Sequence, residues 1–154
     1  YDEAIKCYDE AIKLNPQLAE AWTNKGVALR NLGNYDEAIK CYDEAISINP
    51  QLAGAWYNKG MALYNLGNYD EAIKCFDEAI KLNSQDADAW IYKGVVLGEQ
   101  GNDTEALKCY DEAISINPQY AGAWYNKGLA LQALGRTTEA NAAFAKAKEL
   151  GYRS

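Results

Sequence analysis

Cysteine carries the most reactive side chain in this sequence, and it recurs at a fixed interval. Cys7, Cys41, Cys75 and Cys109 stand 34 residues apart. Metal sites favour ligands only a few residues apart, as in CxxC pairs, and a disulfide needs Cα atoms within about 7 Å. Stacked helix pairs would hold equivalent residues roughly 10 Å apart. The spacing therefore predicts four reduced, half-buried thiols, and reduced thiols indicate a cytoplasmic protein.

The other residue types that perform catalysis are absent or arranged for structure. The chain has no histidine, which removes the commonest general base and metal ligand. Its carboxylates come in adjacent pairs such as Asp36-Glu37 and Asp43-Glu44, a pattern typical of helix starts and solvated helix faces. The sequence has neither a nucleophile elbow nor a phosphate-binding loop. We therefore predict no enzyme activity, no cofactor and no metal.

Charge narrows the class of partner. The formal net charge is −7 and the isoelectric point is near 4.6, so the chain lacks the basic footprint of a nucleic-acid-binding protein. An acidic surface also disfavours anionic membranes, and no apolar run reaches the ~18 residues of a membrane span. No leader of the secretion type opens the sequence, so we expect no secretion signal. The predicted partner is a protein or peptide.

Tryptophan follows the same interval as cysteine. Trp22, Trp56, Trp90 and Trp124 lie 34 residues apart, and each precedes a Lys-Gly pair by three residues. A 34-residue unit is too short for its own core and suits a helix-turn-helix that stacks on its neighbours.

The unit at residues 19–52 shows how each repeat is expected to fold. Residues 19–32 have a helical period, and Gly33 predicts a left-handed cap at the end of that helix. The second helix is expected to start at Asn34, with a capping box between Asn34 and Glu37, and to end at about Ile48.

The repeated residues resemble a known family. Trp22-x2-Lys25-Gly26-x2-Leu29, followed by Ala38-x3-Tyr42, Ala45 and Pro50, is similar to the tetratricopeptide repeat. The resemblance implies an all-α fold, a right-handed α-solenoid of antiparallel helix pairs whose first helices line a concave groove. It also implies a protein-interaction module. The implied single array consists of a half repeat with a second helix only (1–18), repeats at 19–52, 53–86 and 87–120, and a C-terminal capping repeat at 121–154.

One departure from the family pattern is systematic. Lysine stands where the family usually has leucine before the glycine, at Lys25, Lys59, Lys93 and Lys127. We expect each lysine to lay its stem on apolar surface and leave its ammonium free. An ordered anion site made by these lysines is the alternative.

Differences among the repeats fall on one stripe of the first helix, at spacings of 3, 4 and 3 residues. This face lies apart from the Trp–Gly–Leu packing stripe, so its side chains should stand clear of the core. Its apolar bias favours an interaction site over drift after duplication. Asparagines beside the stripe are suited to bond a peptide backbone, and Gly98 should open a pocket. Arg30 is the only basic residue on this stripe, so we do not expect the ligand to be an acidic C-terminal tail. The predicted peptide-binding groove comprises Thr23, Asn24, Val27, Arg30, Tyr57, Asn58, Met61, Tyr64, Ile91, Val95, Gly98, Tyr125, Asn126, Leu129 and Gln132.

The two ends of the array differ. Asn141 and Lys148 replace isoleucines of the other repeats, as a polar terminal cap requires. Residues 1–14 form an internal-type second helix without its first helix, so we expect a fragment of a longer array. The face left uncovered comprises Ala4, Tyr8 and Ala11, and it predicts a two-fold homodimer.

The leading functional prediction is a non-enzymatic scaffold that binds a peptide or helical segment of a partner in its concave groove. The alternatives are a self-assembly module and the regulatory arm of a larger enzyme.

Overall fold

A computed structural model describes residues 1–153 and confirms the all-α prediction. Within those residues it has nine helices and no strand. The helices are α1 (Asp2–Leu14), α2 (Ala19–Asn31), α3 (Tyr35–Ile48), α4 (Ala53–Asn65), α5 (Tyr69–Leu82), α6 (Ala87–Glu99), α7 (Asp103–Ile116), α8 (Ala121–Ala133) and α9 (Thr137–Glu149).

The turn inside each repeat is built on a glycine with positive φ. After α2, Gly33 has φ 81°, its N–H donates to the Arg30 carbonyl at 2.9 Å, and the Asn34 N–H donates to the Leu29 carbonyl at 2.9 Å. This is a Schellman ending, and it confirms the predicted left-handed cap. The predicted capping box is wrong, because the Asn34 N–H is already bonded to Leu29 and has no need of Glu37.

The turn between repeats is held by tryptophan. Trp56 Nε1 donates to the Pro50 carbonyl at 3.1 Å, and the Gln51 N–H donates to Asn49 Oδ1 at 3.1 Å. The other tryptophans bond the carbonyl six residues earlier in the same way, at distances of 3.0, 3.2 and 2.9 Å for Trp22, Trp90 and Trp124. Each indole therefore ties a first helix to the turn that precedes it.

The second helix of each complete repeat packs an aromatic ring against a glycine of the first helix. Tyr42 is 0% exposed, and a Cβ built on Gly26 would lie 2.5 Å from its ring. The same pairing joins Gly60 with Phe76, Gly94 with Tyr110, and Gly128 with Phe144. The Tyr42 hydroxyl is buried without a hydrogen-bond partner, and burial raises the pKa of this group. The ring, rather than the hydroxyl, is therefore what the position requires.

The chain divides into two compact units, Tyr1–Asn83 and a second that begins at Ser84. The first unit contains α1–α5 and the second α6–α9, and consecutive helices pack against each other within each unit. The division falls at the turn where serine stands in place of the proline of the other turns.

The four cysteines are free thiols, as the sequence predicts. Cys41, Cys75 and Cys109 are buried rather than half-buried, whereas Cys7 is exposed. Burial raises the pKa of the Cys75 thiol to about 11, which keeps it protonated at neutral pH. Among residues 1–153, no cluster of cysteines and carboxylates is arranged to hold a metal ion. None of the described helices combines the length and the apolar character that crossing a bilayer requires.

Candidate binding faces on the first helices

The first unit carries the predicted groove residues of α2 and α4. Asn24 is exposed, and the others are half-buried: Thr23, Val27, Arg30, Tyr57, Asn58, Met61 and Tyr64. Asn58 Nδ2 donates to the Gly54 carbonyl of its own helix at 2.7 Å, and its side-chain oxygen is not used in this hydrogen bond. Thr23 and Asn24 line a small cavity of about 160 Å³ beside Gly54.

Two of the predicted groove tyrosines also take part in packing. The Tyr57 ring makes an edge contact with Phe76, with centroids 5.9 Å apart, and the Tyr125 ring lies 5.5 Å from Phe144. The expectation that these side chains stand clear of the core is therefore wrong. Phe76 and Phe144 lie over glycines of the first helices, so their rings reach the groove side and meet the tyrosines there.

The second unit contains a pocket at Gly98. A Cβ built on Gly98 would meet no atom within 4 Å, and the residue borders a cavity of about 330 Å³. Val95 and Leu129 supply apolar walls, and Tyr110 contributes its ring. The polar lining residues are Asn126, Glu99 and Asp103. Leu129 is 44% exposed, which is high for a leucine. The predicted opening at Gly98 is thus present between α6, α7 and α8.

The remaining predicted residues of the second unit differ in exposure. Tyr125 is half-buried and Gln132 is exposed. Ile91 is only 6% exposed, so its assignment to an exposed apolar strip is corrected. The spacing of residues along a helix predicts which face a residue lies on. How far its side chain is buried depends on the neighbouring helices.

A polar contact fixes the start of this face. Asp86 caps α6 by accepting from the N–H groups of Asp88 and Ala89, at 3.0 and 3.3 Å. The Tyr120 hydroxyl donates to the Asp88 carboxylate, and this hydrogen bond raises the pKa of Tyr120 to about 12. The hydroxyl therefore stays protonated, and it holds the turn before α8 against the first turn of α6.

Tyr152 belongs to the same face, although it is not among the groove residues predicted from the sequence. Gly151 has φ 94°, and the Tyr152 N–H donates to the Ala147 carbonyl at 2.9 Å, so the chain turns back after α9. The Tyr152 ring then stacks on Tyr125, with centroids 4.2 Å apart and planes inclined by 17°. A glycine directly after the last helical period was the available signal for this turn.

The lysines before the glycines are not free. Lys25 bonds Asp9 at 2.7 Å, Lys59 bonds Asp43 at 2.6 Å, and Lys127 bonds Asp111 at 2.7 Å. The hydrogen bond to Asp9 raises the pKa of Lys25. Each pair joins a first helix to the second helix of the preceding repeat. The predicted free ammonium is thus wrong for these three lysines, and their charge is used within the array rather than for an anion.

Helix α1 presents the face predicted for self-association. Ala4, Tyr8 and Ala11 are half-buried, and α1 has no buried residue. The equivalent residues of α3, which are Ala38, Tyr42 and Ala45, are all 0% exposed. Ile5, on another side of α1, packs against the buried cluster around Leu29.

Comparisons with known proteins agree with this architecture. Sequence models described as tetratricopeptide repeat match residues 19–52, 57–121 and 109–140, and one described as TPR repeat matches residues 1–33. None of the curated protein sequences matches the chain.

Solved structures of MamA are similar to the chain. One is 30% identical in sequence, with a TM-score of 0.91, and the aligned region covers 97% of this chain and 87% of the MamA chain. A second is also 30% identical over 97% of this chain and 81% of its own, with a TM-score of 0.88. A MamA structure from Desulfovibrio magneticus RS-1 is 22% identical over 97% and 84%, and its TM-score of 0.89 shows the shared fold alone. With its repeat matches and its stacked helix pairs, the chain belongs to the tetratricopeptide repeat family of α-solenoids, which are generally non-catalytic scaffolds for protein interactions.

Proposed function

We propose that the chain binds an apolar peptide segment of a partner protein on the α6–α8 face, with one side chain of that segment inserted at Gly98. The observation that carries the proposal is the open space at this glycine, bordered by Val95 and by the exposed Leu129. A cavity of roughly 150 Å³ accommodates a benzene ring, so one of about 330 Å³ has room for a large apolar side chain. Asn126 lies at the same cavity and is suited to bond the peptide backbone.

The other repeats support this interpretation by contrast. The positions equivalent to Gly98 hold Arg30, Tyr64 and Gln132, which carry long side chains. Glycine inside a helix costs about 1 kcal/mol relative to alanine, so α6 bears a local cost at this position. Because no neighbouring atom occupies the space, packing within the unit does not explain the glycine.

Gly98→Tyr is expected to abolish peptide binding without destabilising the protein. The new side chain fills the pocket, whereas loss of a glycine favours the helix. The probe is the tightest peptide selected by wild-type protein from a displayed random 12-residue library, labelled and titrated by fluorescence anisotropy. We expect affinity to fall at least roughly 30-fold, the scale of a binding hot spot.

Gly54→Tyr is the matched control, because a Cβ on Gly54 also meets nothing within 4 Å but lies on α4 in the other unit. It should leave peptide affinity unchanged. Failure of wild-type protein to select any peptide, or equal affinity of wild type and Gly98→Tyr, overturns the proposal.

We also propose that the chain pairs with a second copy through α1. Ala4, Tyr8 and Ala11 retain accessible surface that the equivalent residues of α3 lack, and two small residues beside a tyrosine suit close helix approach. The same face on both copies gives a closed two-fold contact rather than a filament. One helix face is near the small end of specific interfaces, so the dimer should be weak.

Sedimentation across a concentration series tests this pairing. Wild-type protein should pass from monomer to dimer, and Tyr8→Glu should remain monomeric with an unchanged helical spectrum. Placing a copy of residues 19–34 ahead of Tyr1 should cover the α1 face and dissolve the dimer. A monomer at every concentration, or a dimer that survives the added helix, contradicts the proposal.

A further inference from the structure

A second cavity lies on the C-terminal side of the Gly98 pocket, between α8 and α9. It encloses about 650 Å³. Its floor is aromatic and aliphatic, made by Tyr125, Leu129, Phe144 and Tyr152. The Gly151 turn completes this floor, because it lays the Tyr152 ring against Tyr125. Leu129 also lines the Gly98 pocket, so the two cavities are neighbours on one face.

The charges at this cavity are unlike those at the other cavities. Lys148 and Arg153 line it, and none of its lining residues within 1–153 carries a carboxylate. In the first unit, by contrast, the cavity beside Trp22 is lined by two lysines and two glutamates. Within residues 1–153 neither Lys148 nor Arg153 forms an ion pair, although the nearby Lys146 bonds Glu149 at 2.8 Å. Two uncompensated cations therefore stand over an apolar floor in a chain of net charge −7.

We propose that this cavity is a subsite for an apolar residue that is flanked by an aspartate or glutamate within the partner's peptide segment. The apolar side chain would lie on the aromatic floor, and the neighbouring carboxylate would bond Lys148 and Arg153. This inference rests on the proposed function, since the same segment would occupy the Gly98 pocket and cross Leu129. Lys148 then serves binding as well as making the final repeat polar.

The chemistry of the lining favours a carboxylate next to an apolar group. A guanidinium binds a carboxylate through paired hydrogen bonds, and an ammonium adds a second charge-assisted donor. The stacked rings offer a large apolar contact, and the positive charges of Lys148 and Arg153 beside them disfavour a basic ligand. Lys148 and Arg153 line the same cavity as the apolar side chains. An anionic group alone would therefore leave the apolar part of the cavity unfilled.

The experiment compares matched peptides on matched proteins. We expect the peptide selected by wild-type protein to carry an internal acidic residue beside an apolar one, and a selected peptide without such a residue overturns the inference. The peptide is synthesised with this acidic residue and with the corresponding amide, each with a free and with an amidated C-terminus. The proteins are wild type, the double variant Lys148→Gln with Arg153→Gln, and the control Lys6→Gln with Lys74→Gln. The control removes the same two charges from exposed positions of the first unit.

We expect the acidic peptide to bind wild type and the control about tenfold more tightly than its amide counterpart, the sum of two exposed ion pairs. The Lys148/Arg153 double variant should bind both peptides with equal affinity. Amidation of the C-terminus should change nothing, because the subsite takes an internal side chain.

Three further results overturn the inference. The first is equal affinity of acidic and amide peptides for wild type. The second is a preference for the acidic peptide that the Lys6/Lys74 control also loses, since this would report the overall electrostatic field of the protein rather than a local site. The third is dependence on the terminal carboxylate in place of the internal one. If these occur while Gly98→Tyr still blocks binding, only the acidic subsite fails. If Gly98→Tyr has no effect, the proposed function fails with it.

Discussion

Replacing Phe76 with alanine is expected to lower the free energy of unfolding by about 3–5 kcal/mol. The Phe76 side chain is 0% exposed, its ring lies over Gly60, and it forms a T-shaped pair with the Tyr57 ring. Alanine would leave a void between both helices of the repeat, and the short helices joined by a fixed glycine turn have little freedom to close it. Urea unfolding followed by circular dichroism and by tryptophan fluorescence measures the loss, and both signals are needed because repeat arrays can unfold in parts.

Phe144→Ala is the matched control. It removes the same atoms from the equivalent position of the last repeat, where the ring is only half-buried. We expect roughly half the loss, because the stabilisation scales with the apolar area removed from water. Equal losses at the two positions would show that burial does not set the cost.

Gly94→Ala is expected to destabilise the protein by about 2 kcal/mol through overpacking. A Cβ at Gly94 would lie 2.6 Å from the Tyr110 ring, so the ring or the helix must shift. Gly98→Ala, one turn later in the same helix, should instead stabilise by up to about 1 kcal/mol, because its Cβ meets open space. Thermal and urea unfolding of the two variants should therefore shift in opposite directions.

The opposite signs separate packing from helix propensity, which favours alanine at both positions. If Gly94→Ala stabilises as much as Gly98→Ala does, the Tyr110 ring moves aside freely. The close approach of the ring would then not explain why glycine stands at residues 26, 60, 94 and 128.

The fold was predictable because its determinants are local and repeated. The helix bounds follow from periodicity within each repeat, and the left-handed turn at Gly33 follows from one residue type. The capping box failed because the backbone ending of α2 had already used the Asn34 amide. Two local signals competed at this residue, and the stronger one decided the geometry.

The lysine pairs were missed because each partner lies in another helix. Lys25, Lys59 and Lys127 each pair with an aspartate 16 residues earlier, at Asp9, Asp43 and Asp111. This spacing recurs in the sequence and would have identified the pairs, had charges been compared between repeats rather than within one helix.

The helix face that carries the candidate site was predictable, but the burial of its residues and their contacts with other helices were not. Comparing repeats found the variable stripe and the opening at Gly98. It did not find that Ile91 is buried, or that Tyr152 returns to stack on Tyr125, because both depend on contacts between helices. Lys148 was assigned only to the polar end of the array, since its neighbour Arg153 lies beyond the last helix.

The indole hydrogen bonds give the chain a set of built-in spectroscopic reporters. One tryptophan follows each turn between repeats, and its indole N–H donates to the carbonyl six residues earlier. Opening such a turn therefore exposes that N–H to water. A fluorine label on each indole would give one ¹⁹F resonance per turn and keep all four hydrogen bonds, and single Trp→Phe variants would assign the four resonances. The set of four would resolve the order in which the turns open, and the one at Trp90 would show directly whether a serine turn opens before the proline turns.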